Sequence, residues 1–426
     1  MEIRNIRWPA EQEAIAEHIR LVHGPGDSDL LMHWYGHYPG FDPHDCFVIE
    51  GDRGEIAAHT MLIPRLIQIG EAKVPSSEIG VVGTLETYRG RGYAHALIER
   101  ALERMTERGD VLSLILGIPN FYEQWGYEYA VGLYLTSYES EIETERALTA
   151  GKWDLVRHSQ QRRTAAYLGM RGREVVVRPF YNGDLEAVAA LYDVEAARGH
   201  YLIGRDHKAW AWQLTYLADV GRYEPDDFLV AEAEGNVVGY VRMVSRGQVN
   251  WFTGNEAANF SIIESAGDDA DATEALLAAV AQFARDFDAP RIGVHVHPES
   301  QMMRHILAHG GTRRDFTGAA FLRLHDLPGL MNLLGPTLEI RLEGSSFAGR
   351  GCQLYIASEN AEASVLLGEG RDEVALEAPA VDLVRLFTGW FGIDDLSSDC
   401  YDKRHRALLR VLFPKREPRI GMADIL

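Results

Sequence analysis

Apolar positions in this chain alternate between a period near two and a period near 3.6, and the changes of period divide it into three stretches. In the first, residues 11–22 are amphipathic at helical spacing. Residues 47–50 and 55–62 alternate as a strand pair around the turn G-D-R-G, and 65–69 and 78–84 read as further strands. A helix is expected over 94–105, a strand over 111–116, and strand-rich sequence over 127–138. Strands followed by a strand-turn-helix-strand crossover predict a mixed α/β domain spanning residues 1–150.

A similar order returns in residues 151–326. The run V-V-V-R-P-F from Val175 precedes an amphipathic helix at 185–197, strands at 228–233, 237–244 and 260–265, a long helix at 272–287 and a strand at 291–297. The third stretch, 327–426, predicts a short helix at 328–334 and strands at 337–342, 352–357, 363–367 and 373–376. A helix at 380–391 and the tail H-R-A-L-L-R-V-L-F-P-K-R-E-P-R-I-G-M-A-D-I-L complete it. The fold class expected is therefore α/β (α+β): two units with central mixed sheets and a smaller α+β domain after them.

The candidate chemistry lies between a strand and a helix, in T-L-E-T-Y-R-G-R-G-Y-A from Thr84 to Ala94. Backbone N–H groups converge at a helix N-terminus, Arg89 and Arg91 add positive charge, and Gly90 and Gly92 let the backbone approach a ligand closely. Such a turn suits a phosphate. The corresponding turn of the second stretch is E-S-A-G-D-D-A-D-A-T-E, where Asp268, Asp269 and Asp271 would face any pyrophosphate placed there. Like charges beside a low-dielectric wall cost several kcal/mol, so one phosphate site per chain is expected.

Composition narrows the function. The formal net charge is −21, with 63 acidic against 42 basic residues, which opposes unselective nucleic-acid binding and permits a cationic substrate. Cys46, Cys352 and Cys400 are the only cysteines and lie far apart, so neither a disulfide framework nor a cysteine zinc site is expected, and a reducing cytoplasm is the expected setting. His33, His37 and His44 do not have metal-ligand spacing, and no metal is expected. No run approaches about 18 apolar residues, so no membrane span is expected.

The spacing Arg89-x-x-Gly92-x-Ala94 resembles the pyrophosphate loop of GCN5-related N-acetyltransferases (GNATs). The segment P-N-F-Y-E-Q-W-G-Y-E-Y-A, from Pro119 to Ala130, is similar to the one that follows the next strand in that family. The resemblance implies acetyl-CoA as co-substrate, held by Val81, Val82, Gly83, Arg89, Gly90, Arg91, Gly92, Tyr93 and Ala94, with Tyr122 as the acid that protonates the departing thiolate. Tyr122 is alternatively a packing aromatic among Phe121, Trp125, Tyr127 and Tyr129.

The order of two GNAT units, the second degenerate, and a last domain whose V-D-L-V-R-L-F-T-G-W resembles a sterol-carrier helix is similar to the Eis (enhanced intracellular survival) family of bacterial acetyltransferases. That decapeptide also reads as an ordinary amphipathic helix. The resemblance implies acetylation of small polycationic amines, aminoglycoside-like or polyamine-like, a homo-oligomer (a hexamer), and a catalytic terminal carboxylate, here that of Leu426. The family's usual ending is aromatic; this chain ends in Leu. Asp27, Asp29 and Trp34 lie where GNATs contact the acceptor and are the substrate-binding candidates, although Asp27 also reads as a helix cap. A peptide lysine as acceptor, or an acyl-CoA or lipid carrier without catalysis, are the competing readings.

Overall fold

The computed structural model describes residues 1–118, 120–133, 140–149, 154–159, 164–168, 173–219, 227–244, 260–313, 319–370 and 372–425. The chain forms two compact units, Met1–Val131 with Ala319–Arg416, and Gly132–Gly318 with Glu417–Leu426. Sheets and packed helices alternate in both, giving the mixed α/β class expected. Among the described residues no helix is long and apolar enough to cross a membrane.

In the first unit the elements run β1 (Ile3–Asn5), α1 (Gln12–His23), α2 (Pro25–Met32), α3 (Trp34–His37), β2 (Cys46–Glu50), β3 (Ile56–Ile69), β4 (Ala72–Thr84), α4 (Tyr93–Arg108), β5 (Leu112–Ile115) and β6 (Glu128–Leu133). The sheet order is β1-β2-β3-β4-β5, then the strand Ala319–Leu324, then β6. The runs at 55–62 and 65–69 prove to be one strand, β3, whose Pro64 pairs in register with Ser77 of β4.

Helix α4 forms because Leu97, Ile98, Ala101 and Met105 fall on one stripe and are all buried against the sheet. Burial of each large side chain contributes about 1.5–3 kcal/mol. Gly109, at φ 74°, ends the helix and returns its N–H to the Met105 and Thr106 carbonyls. Arg104 and Arg108 fix the helix to Asp45 at 2.7 and 2.6 Å.

β4 pairs in parallel with β5 only at Ser76–Leu112, Ser77–Ser113 and Glu78–Leu114. Beyond Glu78 the pairing with β5 stops, and the backbone from Ile79 to Thr84 does not have β5 as its partner. The candidate site lies along that part of β4.

The C-terminal part of the first unit corrects one expectation. Residues 337–342 are helical, inside a continuous helix Leu327–Glu343 that runs through Gly335 and Pro336. The G-P pair reads as a break, but Leu330, Leu334, Leu338 and Leu342 recur every four residues and are buried, and that stripe outweighs the hydrogen bond Pro336 cannot make. The strands Glu362–Leu367, Cys352–Ala357 and Asp372–Glu377 form a small sheet in that order.

The second unit repeats the layout. Strands Asn236–Val244, Ser261–Ala266 and Arg291–Val294 are neighbours, with the last pair parallel only at Ser261–Gly293 and Ile262–Val294. The helix Ala270–Asp286 lies between those two strands in sequence, with ten residues from Ala272 to Ala284 buried. The tail from Glu417 belongs to this unit. The Asp424 carboxylate accepts hydrogen bonds from Arg205 Nε at 2.9 Å and Gln213 Nε2 at 2.7 Å, and Arg205 also pairs with Glu264 at 2.5 Å.

Candidate active site at the β4 bulge and the α4 turn

The site begins with a break in strand regularity. His59 pairs with Gly83 and Met61 with Gly80, so Val81 and Val82 together oppose Thr60 and β4 bulges. Val81 has φ 52°, a left-handed conformation that a β-branched residue adopts only under constraint. Thr60 Oγ1 donates to the Gly80 carbonyl at 3.1 Å and pins the near side. Val81 and Val82 are thus taken out of the regular β3–β4 register, the kind of strand irregularity that re-aims backbone groups.

The turn before α4 is held from below. The Tyr88 hydroxyl accepts from Asp52 N at 2.8 Å and donates to Glu55 Oε1 at 2.8 Å, tying the turn to the β2–β3 hairpin. A Cβ at Gly51 would lie 2.6 Å from that hydroxyl, so glycine is needed for this close approach. The Arg91 guanidinium rests 4.8 Å over the Tyr88 ring. Gly90 and Gly92 have φ of 77° and 80° with open space where their side chains would be. Gly92 is the N-cap, no side chain caps the helix, and the first turn carries no acidic residue. Unpaired N–H groups, the helix dipole and the exposed Arg89 and Arg91 together make an anion site. Those features fit the pyrophosphate of CoA.

Tyr122 lies beyond β5, with its ring pressed onto Gly117 and edge-on to Phe121 at 4.9 Å. It is 7% exposed, and no described residue hydrogen-bonds its hydroxyl. Burial pushes the phenol up to about 12, so it is protonated at neutral pH and able to donate. The Tyr127 hydroxyl, by contrast, is 2.6 Å from Ser113 Oγ, which His325 Nε2 also meets at 2.7 Å, so Tyr127 belongs to a closed polar network.

On the acceptor side, Trp34 is buried, stacks on Tyr38 at 5.7 Å and carries the Arg65 guanidinium 5.4 Å over its ring. Arg65 is paired with Glu78 at 2.7 Å. Trp34 therefore already serves one cation. Asp27 and Asp29 lie in α2, Asp27 inside the helix and not before it, and their side chains fall outside the described residues, as does Leu426. Sequence reasoning missed His18 and His59, which flank Gly83 at 3.1 and 3.2 Å from where its Cβ would be. Forty-one positions apart in the chain, they carry no spacing signal.

The equivalent turn of the second unit is capped by its own side chain. Asp269 Oδ1 accepts from Ala272 N at 2.9 Å, its other oxygen pairs with Arg173, and Asp268 pairs with Arg198 at 2.5 Å. The N–H groups that would receive a phosphate face a carboxylate of the chain itself.

Residues 2–130 match the family model described as acetyltransferase (GNAT) domain. No curated protein matches the sequence. Among solved structures, the chain is similar to a GCN5-related N-acetyltransferase from Kribbella flavida (16% identity, 98% of this chain and 97% of that chain, TM-score 0.64). It is likewise similar to one from Anabaena variabilis (16%, 98% and 99%, TM-score 0.65) and to Eis1 from Mycobacterium abscessus (16%, 98% and 98%, TM-score 0.55). At those identities the likeness speaks for the fold. The family match falls on the unit that carries the bulge and the uncapped turn: the chain contains a GNAT acetyltransferase domain and is an N-acetyltransferase.

Proposed function

We propose that this protein transfers an acetyl group from acetyl-CoA to an amine of a small polycationic molecule, aminoglycoside-like or polyamine-like, by direct attack on the thioester, as an Eis-like enzyme. The observation that carries the reading is the uncapped, arginine-bearing turn at Arg89–Ala94 beside the Val81 bulge. Acetyl-CoA supplies the activated acyl group. Gly90, Arg91, Gly92, Tyr93 and Ala94 hold its pyrophosphate, and a backbone N–H from Val81 to Gly83 stabilises the developing oxyanion. Tyr122 protonates the leaving thiolate. The net charge of −21 favours a cationic acceptor. Asp27, Asp29 and Trp34 are the proposed acceptor contacts, and by resemblance the Leu426 carboxylate assists deprotonation, the last domain is sterol-carrier-like and the assembly is a hexamer.

The test is thiol release from acetyl-CoA with a panel of amines. Polyamines and aminoglycosides should be acetylated faster than lysine peptides. Equal or faster acetylation of the peptides contradicts the acceptor class, and no release with any amine contradicts the transferase reading.

A further inference from the structure

On the α1 face of the first unit, two histidines occupy positions where a core ordinarily holds apolar side chains. His18 of α1 and His59 of β3 are 2% and 1% exposed, with rings edge to face at 4.7 Å. His18 Nδ1 lies 2.7 Å from the Ile56 carbonyl oxygen. A carbonyl only accepts, so Nδ1 carries the hydrogen and Nε2 keeps its lone pair. Neither ring nitrogen of His59 has a hydrogen-bond partner among the described residues, and His18 Nε2 meets no side chain and lies against the backbone of Gly83. Each unpaired buried group costs about 1–3 kcal/mol, which points to a use for these lone pairs.

Their position supplies the use. Both rings abut Gly83, where β4 returns to register with His59 after the bulge that receives the thioester oxygen in the proposed reaction. The groups around them are His23 of α1 and Tyr35 of α3, with rings 6.4 and 6.5 Å from His59, and Cys46 of β2 acts on Tyr35. No described carboxylate acts on either histidine. Burial lowers His18 to about 4 and holds His59 well below the usual range, so both rings are neutral at neutral pH. Glu78, the carboxylate on the same strand as Gly83, is closed off by Arg65.

We infer that His18 and His59 are the proton-accepting pair for the acceptor amine, with His18 Nε2 taking the proton; this rests on the acetyl-transfer reading above. The amine attacks as its free base. As the N–C bond forms, the nitrogen becomes far more acidic than the parent ammonium, and a weakly basic neutral imidazole suffices to remove its proton. The C–S bond then breaks, the sulfur takes a proton from Tyr122, and Tyr122 recovers one from solvent. The proton on His18 passes to His59 and leaves by the half-buried His23. The products are one amide and one thiol.

His18→Ala, His59→Ala and the bulkier His18→Gln and His59→Gln test the pair in the full-length protein, with acetyl-CoA affinity measured by calorimetry alongside turnover. Acetyl-CoA binding should stay within about threefold of wild type while kcat falls about a hundredfold. Added imidazole should restore the alanine variants at least severalfold, which a merely structural role does not allow. Turnover within about threefold of wild type in any variant that binds acetyl-CoA normally overturns the inference, as does a loss that imidazole leaves untouched. If the alanine variants do not fold, the glutamine variants decide: normal binding with lost turnover supports the pair, and retained turnover overturns it. Wild-type protein that binds no acetyl-CoA fails at the earlier step, and the pair's role falls with the transferase reading.

Discussion

The turn before α4 and the turn before the helix Ala270–Asp286 occupy the same place in two similar layouts and have opposite chemistry. The first ends in Gly92, leaves its helix uncapped and presents Arg89 and Arg91. The second caps itself with Asp269 and binds its acids to Arg173 and Arg198. A helix N-terminus is a ligand site only while its N–H groups are unspent. One substitution class, carboxylate for glycine at the cap, converts a phosphate cradle into a structural joint.

The comparison breaks most visibly if activity does not depend on the first unit. Tyr122→Phe should lower kcat by about a hundredfold to ten-thousandfold, with a smaller effect on the KM for acetyl-CoA, because a general acid acts chiefly in the transition state. Steady-state kinetics with unchanged kcat in a folded variant would assign Tyr122 to packing alone.

Acid should weaken both units through histidines buried neutral. Burial lowers His18 and His295 to about 4, His325 to about 3 and His297 to about 2. Their folded values lie below the unfolded value near 6.5, so the unfolded chain binds more protons between those limits. Stability is therefore full above about pH 6.5 and falls as pH drops from there toward 4, each histidine contributing up to about 1.4 kcal/mol per pH unit. Denaturant midpoints compared at pH 7.5 and 5 check the direction; a higher midpoint at pH 5 contradicts it.

Charge at the turns sharpens the contrast further. Arg91→Glu should weaken acetyl-CoA binding about tenfold to a hundredfold, the scale of a lost charge-assisted hydrogen bond. Asp269→Ala should leave that affinity unchanged and lower stability by about 1 kcal/mol through the lost cap. Calorimetry and thermal melts on the two variants separate the effects.

Much of this contrast is legible in the amino-acid sequence alone. The arginines and glycines of 84–94 and the aspartates of 268–271 are local features, and local backbone chemistry decides what a helix N-terminus can hold. Tyr122 stands out by its place after a strand. The bulge is not legible, because V-V inside an apolar run looks like regular strand, and Val81 adopts φ 52° only where β3 enforces the register around Thr60. The helix across Gly335 and Pro336 is hidden because punctuation residues signal a break locally while the leucine stripe acts through tertiary burial. His18 and His59 are invisible singly; the packing of α1 on β3 makes them a pair.

The contrast to test is that one unit binds CoA while the other caps the equivalent helix N-terminus with its own carboxylate. Titration calorimetry of the full chain with acetyl-CoA measures this directly. The account predicts one site per chain, lost or strongly weakened in Arg91→Glu and retained in Asp269→Ala; two equivalent sites per chain, or a single site that survives Arg91→Glu and disappears in Asp269→Ala, would contradict it.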